Sequence, residues 1–288
     1  MNHLTKIKFF IMLIVFMISG TIPAEDFQGK IVYEDLSLMA EAFPSLRELE
    51  DFQSPEYREA MKELFAKSPE ELRKIAVKNS GKDYVETENS TIYIKGYLYR
   101  VDEMNEGENQ SIIYDLKSNS MKIIRWDEKT VLTAPLNELD ENLEQMLELP
   151  PEDMVMDTPL EEDLFSMEPA NQKTTIIGYE CELYVGTNSE GEYTHIWLTD
   201  QNQKLVNAYL RIMNIIRDDF DSGQEPDSED KFFTEKKGFE IRRYTGSSFS
   251  IDIEQVKEIS EETVPDKLFK TPAGFVEISL QEMIEQEM

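Results

Sequence analysis

Residues 91–101 read Thr-Ile-Tyr-Ile-Lys-Gly-Tyr-Leu-Tyr-Arg-Val, two short runs of aromatic and β-branched residues on either side of a glycine. Runs of this composition are typical of strands, and the glycine marks a turn between a strand at 91–95 and one at 97–101. The pattern continues in both directions, with strands predicted at 84–87, 111–115, 121–126 and 130–132 and turns at 88–90, 105–109 and 118–120. Because connections this short join antiparallel neighbours, the sequence predicts an antiparallel meander.

Aromatic residues recur on these strands. Tyr93, Tyr97 and Tyr99 share a parity, which predicts one aromatic row on one face of the sheet. Such a row either packs against a helix or forms the wall of a ligand site, and the pattern fits both interpretations. Trp126 and Trp197, which also lie on predicted strands, are further candidates for this wall.

A helical insertion is predicted before the meander. Phe27–Glu34 has the composition of an opening strand, whereas 36–52 and 55–78 are rich in Leu, Ala, Glu and Lys and predict helices. Ser54 and Ser68 each precede a proline, which is the usual order of a helix cap and the first helical residue. We therefore expect the chain to form helices over 36–78, directly after its first strand.

Residues 130–172 are strongly acidic and contain no Lys or Arg. Leucine and methionine recur at helical spacing between Leu136 and Met167, which predicts helices with one apolar face. That face either belongs to the core or forms an adaptable lid over an apolar cavity, since methionine is flexible and polarisable. The candidates for a lid are Met146, Met154 and Met156.

The remaining chain returns to a mixed pattern. Strands are predicted at 174–177, 179–185, 193–199, 239–245 and 249–257, with a hairpin turn at 188–191, a helix at 205–220, a polar loop at 218–230 and a short acidic helix from Ser279. No repeat or long linker divides these elements. The expected organisation is one α+β domain over residues 25–288.

The first 24 residues have the layout of a secretory signal peptide. Lys6 and Lys8 precede the apolar run Phe9–Ile18, and small residues lead to Ala24. This run is shorter than the roughly 20 residues that a membrane-spanning helix needs, so we expect cleavage near Ala24. Export to the periplasm or the medium follows, with no transmembrane segment after cleavage.

Composition and motifs argue against several classes of function. With 59 Asp and Glu against 29 Lys and Arg, the net charge is −30, which disfavours nucleic acid as a partner. A single cysteine excludes an intramolecular disulfide and an all-cysteine zinc site. Phosphate-binding glycine loops, Gly-x-Ser-x-Gly and His-Glu-x-x-His are absent from the sequence.

Three features that suggest chemistry have simpler interpretations. Cys181 alternates with Leu183 and Val185, which predicts a buried thiol, and His195 is expected to be a surface or packed histidine. The tract Asp219–Asp230 departs from the calcium-binding EF-hand pattern in its glycine and its last ligand. The sequence therefore predicts no catalytic residue, no metal ligand and no cofactor, and we expect a protein that is not an enzyme.

Several strand motifs occur together in a fixed order. They are Phe-Gln-Gly-Lys-Ile-Val-Tyr (27–33), Tyr-Ile-Lys-Gly-Tyr-Leu-Tyr-Arg (93–100), Ile-Ile-Tyr-Asp-Leu (112–116), Thr-Thr-Ile-Ile-Gly-Tyr-Glu-Cys-Glu-Leu-Tyr (174–184), Ile-Trp-Leu-Thr-Asp (196–200) and Leu-Phe-Lys-Thr-Pro-Ala-Gly-Phe (268–275). Over 27–35 and 82–275 the chain resembles exported bacterial proteins of the domain of unknown function 4412, whose fold resembles the lipoprotein carriers of the Lol system. The resemblance implies an antiparallel sheet curved into a half-barrel, with helices covering its concave face around an apolar space.

Two functions fit these features. In the first, the protein binds an apolar or amphiphilic ligand, such as a lipid, between the aromatic sheet face and the Leu/Met helices, without catalysis. In the second, it is an envelope interaction protein that docks a protein partner through the helices at 36–78 and its acidic surface.

Overall fold

The computed structural model of the protein describes residues 26–47, 49, 54–105, 108–136, 165–188, 191–220 and 228–279. Its strands are β1 (Gln28–Met39), β2 (Val85–Lys95), β3 (Leu98–Asn105), β4 (Glu108–Asp115), β5 (Ser120–Arg125), β6 (Thr130–Pro135), β7 (Ser166–Ile176), β8 (Tyr179–Thr187), β9 (Tyr193–Thr199), β10 (Phe239–Gly246), β11 (Ser250–Glu261) and β12 (Val276–Ile278). Its α-helices are α1 (Pro55–Phe65), α2 (Pro69–Ser80), α3 (Gln203–Phe220) and α4 (Ser228–Lys236).

These strands form one sheet in the order β12-β6-β5-β4-β3-β2-β1-β11-β10-β9-β8-β7. All neighbours are antiparallel except β12 and β6, which pair in parallel. The sheet is curved and open, with β12 and β7 at its edges. The predicted meander is therefore confirmed as β2 to β6, and β1 joins it to the second half of the sheet.

One predicted turn inside the meander is wrong. Glu88, Asn89 and Ser90 are polar and suggest a turn, yet β2 runs through them without interruption. All three pair with residues of β1, which extends alongside β2 over its whole length. A long partner strand thus overrides the local preference of polar residues for a turn.

The predicted helix at 36–52 is also wrong at its start. β1 continues to Met39, because Leu36 and Leu38 alternate with polar Ser37 and pair with Ile253 and Ile251 of β11. A short 3-10 turn follows at Ala40–Ala42. Residues 48 and 50–53 lie outside the described residues.

The other two helices of the insertion are confirmed. The Ser54 side chain accepts a hydrogen bond from the Tyr57 backbone N–H at 3.2 Å and caps α1. Ser68 and Glu71 form a reciprocal capping box at the start of α2. Each helix buries one apolar stripe, including Tyr57, Met61 and Leu72, and both helices belong to the main core.

The strand registers define two faces of the sheet. The first face carries Leu36, Tyr93 and His195, and the second carries Asp35, Tyr99 and Ile196, since cross-strand partners point to the same side. α1 and α2 lie on the first face, where Phe65 contacts His195 and Arg73 pairs with Glu34. α3 and α4 lie on the second face.

The expected half-barrel with helices on its concave face is not confirmed. The Tyr99 hydroxyl donates to the Ala208 carbonyl of α3 at 2.9 Å, and Phe232 of α4 contacts Tyr184 on the second face. Helices therefore cover parts of both faces. The coarser expectation, an α+β fold built on an open antiparallel sheet, is what the structure supports.

Several predicted segments have a different structure from the one expected or lie outside the described residues. Residues 166–173, expected to be helical or connecting, belong to edge strand β7, where Pro169 is tolerated because an edge strand has one unpaired side. α4 begins inside the predicted polar loop, at Ser228. Residues 1–25, 137–164, 221–227 and 280–288 lie outside the described residues, and with them the signal peptide, most of the Leu/Met segment and the C-terminal acidic helix.

Candidate functional site

The predicted aromatic row does not form, because the turn between β2 and β3 divides it. Lys95 pairs with Leu98 across the two-residue turn Gly96-Tyr97, so Tyr93 lies opposite Arg100 and Ile94 lies opposite Tyr99. Tyr93 and Tyr99 consequently point to opposite faces of the sheet. Gly96 makes this turn with a φ of 62°, a conformation that favours glycine.

The other candidate lining residues are dispersed. Tyr99 is fully buried on the second face, and Trp197 is part of the main core, four strands away from Tyr93. Tyr97 is 39% exposed in the turn, where Lys117 and Arg211 lie over its ring at 4.9 and 4.6 Å. Met146, Met154 and Met156 lie outside the described residues.

Two of the candidates do come together. Tyr93 and Trp126 belong to one apolar cluster on the first face of β2 to β6, together with Leu98, Ile113, Ile124 and Val131. We call this group the covered patch. It is separate from the cluster in which α1 and α2 pack.

A C-terminal segment, residues 263–275, lies over this patch, and we call it the strap. Val264, Leu268, Phe269 and Phe275 pack on the covered patch, with the Phe275 ring edge-on to Trp126 at 5.3 Å. Between its ends the strap is irregular except for a 3-10 turn at Asp266–Phe269. β12 follows directly and joins the sheet edge beside β6.

A buried arginine lies at the floor of the site. Arg100 is 6% exposed, and its guanidinium donates to Asp102 Oδ1 at 2.6 Å, to the Leu268 carbonyl at 2.6 Å and to Ser111 Oγ at 3.0 Å. Its Cζ lies 5.5 Å from the centre of the Trp126 ring. Because a buried charge needs partners, this network supplies an ion pair, a hydroxyl, a strap carbonyl and an aromatic face.

The polar groups around Arg100 are bonded to one another. Ser111 Oγ donates to Asp102 at 2.6 Å and accepts from Trp126 Nε1 at 2.7 Å. Sequence reasoning missed Arg100, Asp102 and Ser111. The signal was present, since Arg100 and Asp102 are opposite charges two residues apart on a strand and so lie on one face beside each other.

A row of carboxylates crosses the second face, away from the covered patch. Asp35 lies directly between Glu88 of β2 and Glu254 of β11. Burial, followed by the charge of Glu88, raises the pKa of Asp35 to about 7, and the same two causes raise the pKa of Glu103 to about 7. Burial also raises the pKa of Glu254. Burial therefore favours the protonated form of Asp35, Glu103 and Glu254.

Cys181 and His195, whose side chains could be reactive, are buried outside the covered patch. Cys181 is buried, as predicted, and burial raises the pKa of its thiol to about 11. His195 is buried next to Phe65, its Nε2 lies 3.0 Å from the Tyr193 hydroxyl, and burial lowers its pKa to about 4. Neither group is in a state suited to nucleophilic or acid–base chemistry at neutral pH.

One small cavity is lined by residues of β1, β10, β11 and α3. Its volume is about 10 Å³, and Tyr33, Tyr209, Arg242 and Glu254 are among the residues that line it. A space of this size holds about one water molecule. It therefore has no room for an organic ligand.

Comparison with known proteins places most of these elements in one family. The family model described as domain of unknown function DUF4412 matches residues 75–275, which is more than half of the chain. The chain belongs to the DUF4412 family. No curated protein matches this DUF4412 chain.

Two solved structures are distantly similar to this chain. An uncharacterised conserved protein from Thermus thermophilus shares 7% identity at a TM-score of 0.37, over 67% of this chain and 83% of its own. A structure of PNGF-II shares 8% identity at a TM-score of 0.33, over 89% of this chain, which spans only 33% of that protein. The family match supports the DUF4412 part of the resemblance, and the Lol-type part is not confirmed.

The DUF4412 match includes the whole candidate site. It begins in α2 and ends at Phe275, so the covered patch, the Arg100 network and the strap all lie within it. β1 and α1 precede it, although β1 occupies the centre of the sheet. Among the described residues no helix is long and apolar enough to cross a membrane.

Proposed function

We propose that this protein is an exported, non-catalytic binding protein of the cell envelope that takes up an apolar or amphiphilic ligand at the covered patch. One observation carries the proposal: Tyr93 and Trp126 belong to one apolar cluster beside a buried arginine, and an irregular strap covers this cluster instead of a helix or a sheet strand. Binding sites for small molecules have this character, an apolar surface with a few fixed polar groups.

The chemistry of the polar groups favours recognition over catalysis. Ser111 is a hydroxyl bonded to Arg100, but its oxygen also donates to Asp102 and accepts from Trp126. A serine nucleophile needs a neighbouring general base, and the carboxylate of Asp102 suits that role poorly because it is already paired with Arg100. Arg100 itself supplies N–H donors, which suit the carbonyl or carboxylate oxygen of an amphiphile.

The two tryptophans of the chain provide a test of where the ligand binds. Trp126 lies in the covered patch and Trp197 in the main core, so the variants Trp197→Phe and Trp126→Phe each leave one reporter. The probe is dibromostearic acid, an apolar chain whose bromine atoms quench tryptophan fluorescence on contact.

We expect saturable, near-stoichiometric quenching of Trp126 in Trp197→Phe and little quenching of Trp197 in Trp126→Phe. Equal quenching of both reporters would place the ligand elsewhere or indicate unspecific adsorption. Absence of quenching in both variants, together with no co-purified lipid in native mass spectra, would reject ligand binding.

Export is the second part of the proposal and has its own test. Expression of the full chain in a bacterial host, followed by fractionation and intact-mass measurement, should give an envelope or secreted species that begins at Glu25. A protein retained in the cytoplasm with residues 1–24 still attached would refute export.

A further inference from the structure

Among the described residues, the backbone of the strap region is bonded to the backbone of the sheet at the two ends of the strap. In the described part of the chain, backbone hydrogen bonds between the strap region and the sheet are those of Glu262 N–H to the Gln28 carbonyl, at 3.2 Å, and of Val276 N–H to the Lys129 carbonyl, at 2.9 Å. The other backbone bonds that begin in residues 263–275 close turns within the strap itself. The strap therefore lies on the sheet without joining its hydrogen-bond ladder.

Side chains make the contacts between these ends. Lys95 bonds the Val264 carbonyl at 3.2 Å and pairs with Asp266, and Lys122 reaches Thr271 at 3.4 Å. The Lys95–Asp266 and Lys122–Thr271 contacts are exposed to solvent, where ion pairs and hydrogen bonds contribute little. The buried residues of the strap are Val264 and Phe269.

The strap occupies the features of the covered patch that would recognise a ligand. The Leu268 carbonyl accepts from Arg100 Nη1, and the Phe275 ring covers Trp126. A ligand that contacts Tyr93 and Trp126 and bonds Arg100 needs the same space and the same donor. The strap and the ligand are therefore mutually exclusive occupants.

We infer that the strap opens as a unit from the folded sheet and that this opening controls access to the covered patch. A segment with few buried side chains and no ladder bonds opens locally at a lower free energy than the sheet beneath it. The second half of this inference rests on the proposed function, whereas the first half concerns the unliganded protein alone.

Amide hydrogen exchange of the unliganded protein tests the opening. We expect the strap amides to exchange on the order of tenfold or more faster than those of β1 and β2, and with one common rate, because they open together. The double variant Thr130→Cys/Val276→Cys, at paired positions of β6 and β12, can form a disulfide that ties down the end of the strap. We call its oxidised form the locked protein. In the locked protein the strap amides should exchange more slowly than in the reduced protein. Strap amides as protected as the central strands would overturn the inference.

Competition is tested with matched phenylalanine variants. Phe269→Ala weakens the strap without altering the patch, while Phe249→Ala removes a ring that is 81% exposed in the β10–β11 turn. Because apparent affinity scales with the fraction of open molecules, Phe269→Ala should bind dibromostearic acid on the order of tenfold more tightly and Phe249→Ala should match the wild type. The locked protein should bind the probe more weakly, and reduction of its disulfide should restore binding.

The outcomes separate the two proposals. Equal binding by the locked and the reduced protein, or no gain in Phe269→Ala, would overturn the control by the strap while the proposed function stands. If no variant binds the probe, the proposed function fails, and the exchange rates alone decide whether the strap opens. Cys181 does not interfere, because it is buried with a raised thiol pKa.

Discussion

Replacing Arg100 by methionine should destabilise the protein through the loss of one buried charge network. The guanidinium makes hydrogen bonds to Asp102, Ser111 and the Leu268 carbonyl, and its side chain is almost fully buried. Methionine matches the length of the aliphatic part and leaves Asp102 without its counter-ion. The change therefore removes charge and hydrogen bonds while it preserves most of the packing.

The expected magnitude follows from the exposure of the two partners. Removing one partner of a fully buried pair costs about 3–5 kcal/mol. The Asp102 side chain is 29% exposed, so water partly compensates its charge. We expect Arg100→Met to lower the free energy of unfolding by about 3 kcal/mol, at the lower end of that range. Asp102→Asn keeps an acceptor for Arg100 and should cost about 2 kcal/mol.

A double-mutant cycle by urea unfolding at pH 7, followed by far-UV circular dichroism, measures the coupling. The double variant Arg100→Met/Asp102→Asn removes both charges of the pair and should lose only about 3 kcal/mol, so the coupling is about 2 kcal/mol. Lys173→Met, which breaks an exposed pair with Glu180, serves as a control and should leave the urea midpoint essentially unchanged. If the stability losses of the two single variants add up to the loss of the double variant within about 0.5 kcal/mol, the predicted coupling between Arg100 and Asp102 is refuted.

Three other predictions concern backbone strain, the pH dependence of stability and the burial of the thiol. Ile177 adopts a φ of 45° in the exposed turn before Gly178, so Ile177→Asn should raise the free energy of unfolding by about 1 kcal/mol, and a loss in urea unfolding would contradict the strain. Because the pKa values of Asp35 and Glu103 are raised to about 7, the folded protein holds protons that the unfolded chain releases between about pH 4.5 and 7, and stability should fall as pH rises through this window. The lowered pKa of His195 has the opposite effect on stability below about pH 6.5, but one histidine is outweighed by two carboxyl groups. The midpoint of urea unfolding should therefore be higher at pH 5 than at pH 7.5, and Glu103→Gln should reduce the difference between the two midpoints. A midpoint that rises with pH would refute this balance. The Cys181 thiol should react with a disulfide reagent only after unfolding; rapid reaction of the folded protein would disprove its burial.

The sequence predicts the sheet well where local pattern and long-range pairing agree. The strands β3 to β6 and the turns between them follow from alternation and turn residues, and the caps of α1 and α2 follow from Ser54 and Ser68. The errors occur where a partner strand outweighs local composition. Glu88–Ser90 and Leu36–Met39 are strand residues because β1 pairs with β2 and β11 over its full length.

The candidate site was predictable only in part. Tyr93 and Trp126 stand out as aromatic residues on strands, but their association depends on which face each strand presents after a two-residue turn. One residue more or less in that turn reverses the parity of every later position. The strap could not be found from periodicity at all, since its packing on the patch relies on Val264, Phe269 and Phe275 at irregular spacing.

The packing of α1 and α2 in the core determines which variants can test the hypothesis that these helices dock a protein partner. Met61 packs against Gly246 so closely that a Cβ there would lie 2.8 Å from its sulfur, and the Tyr57 hydroxyl bonds the Ser247 carbonyl. A deletion of 36–78 would also remove the end of β1, which pairs on both of its sides. If such a deletion variant failed to capture a partner, the failure would therefore reflect disruption of the core and would not identify a docking surface. Most charged residues of the two helices are exposed, whereas Arg73 pairs with Glu34 of the sheet. Substitutions confined to the exposed charges therefore separate docking from folding, and the covered patch on the same face stays intact.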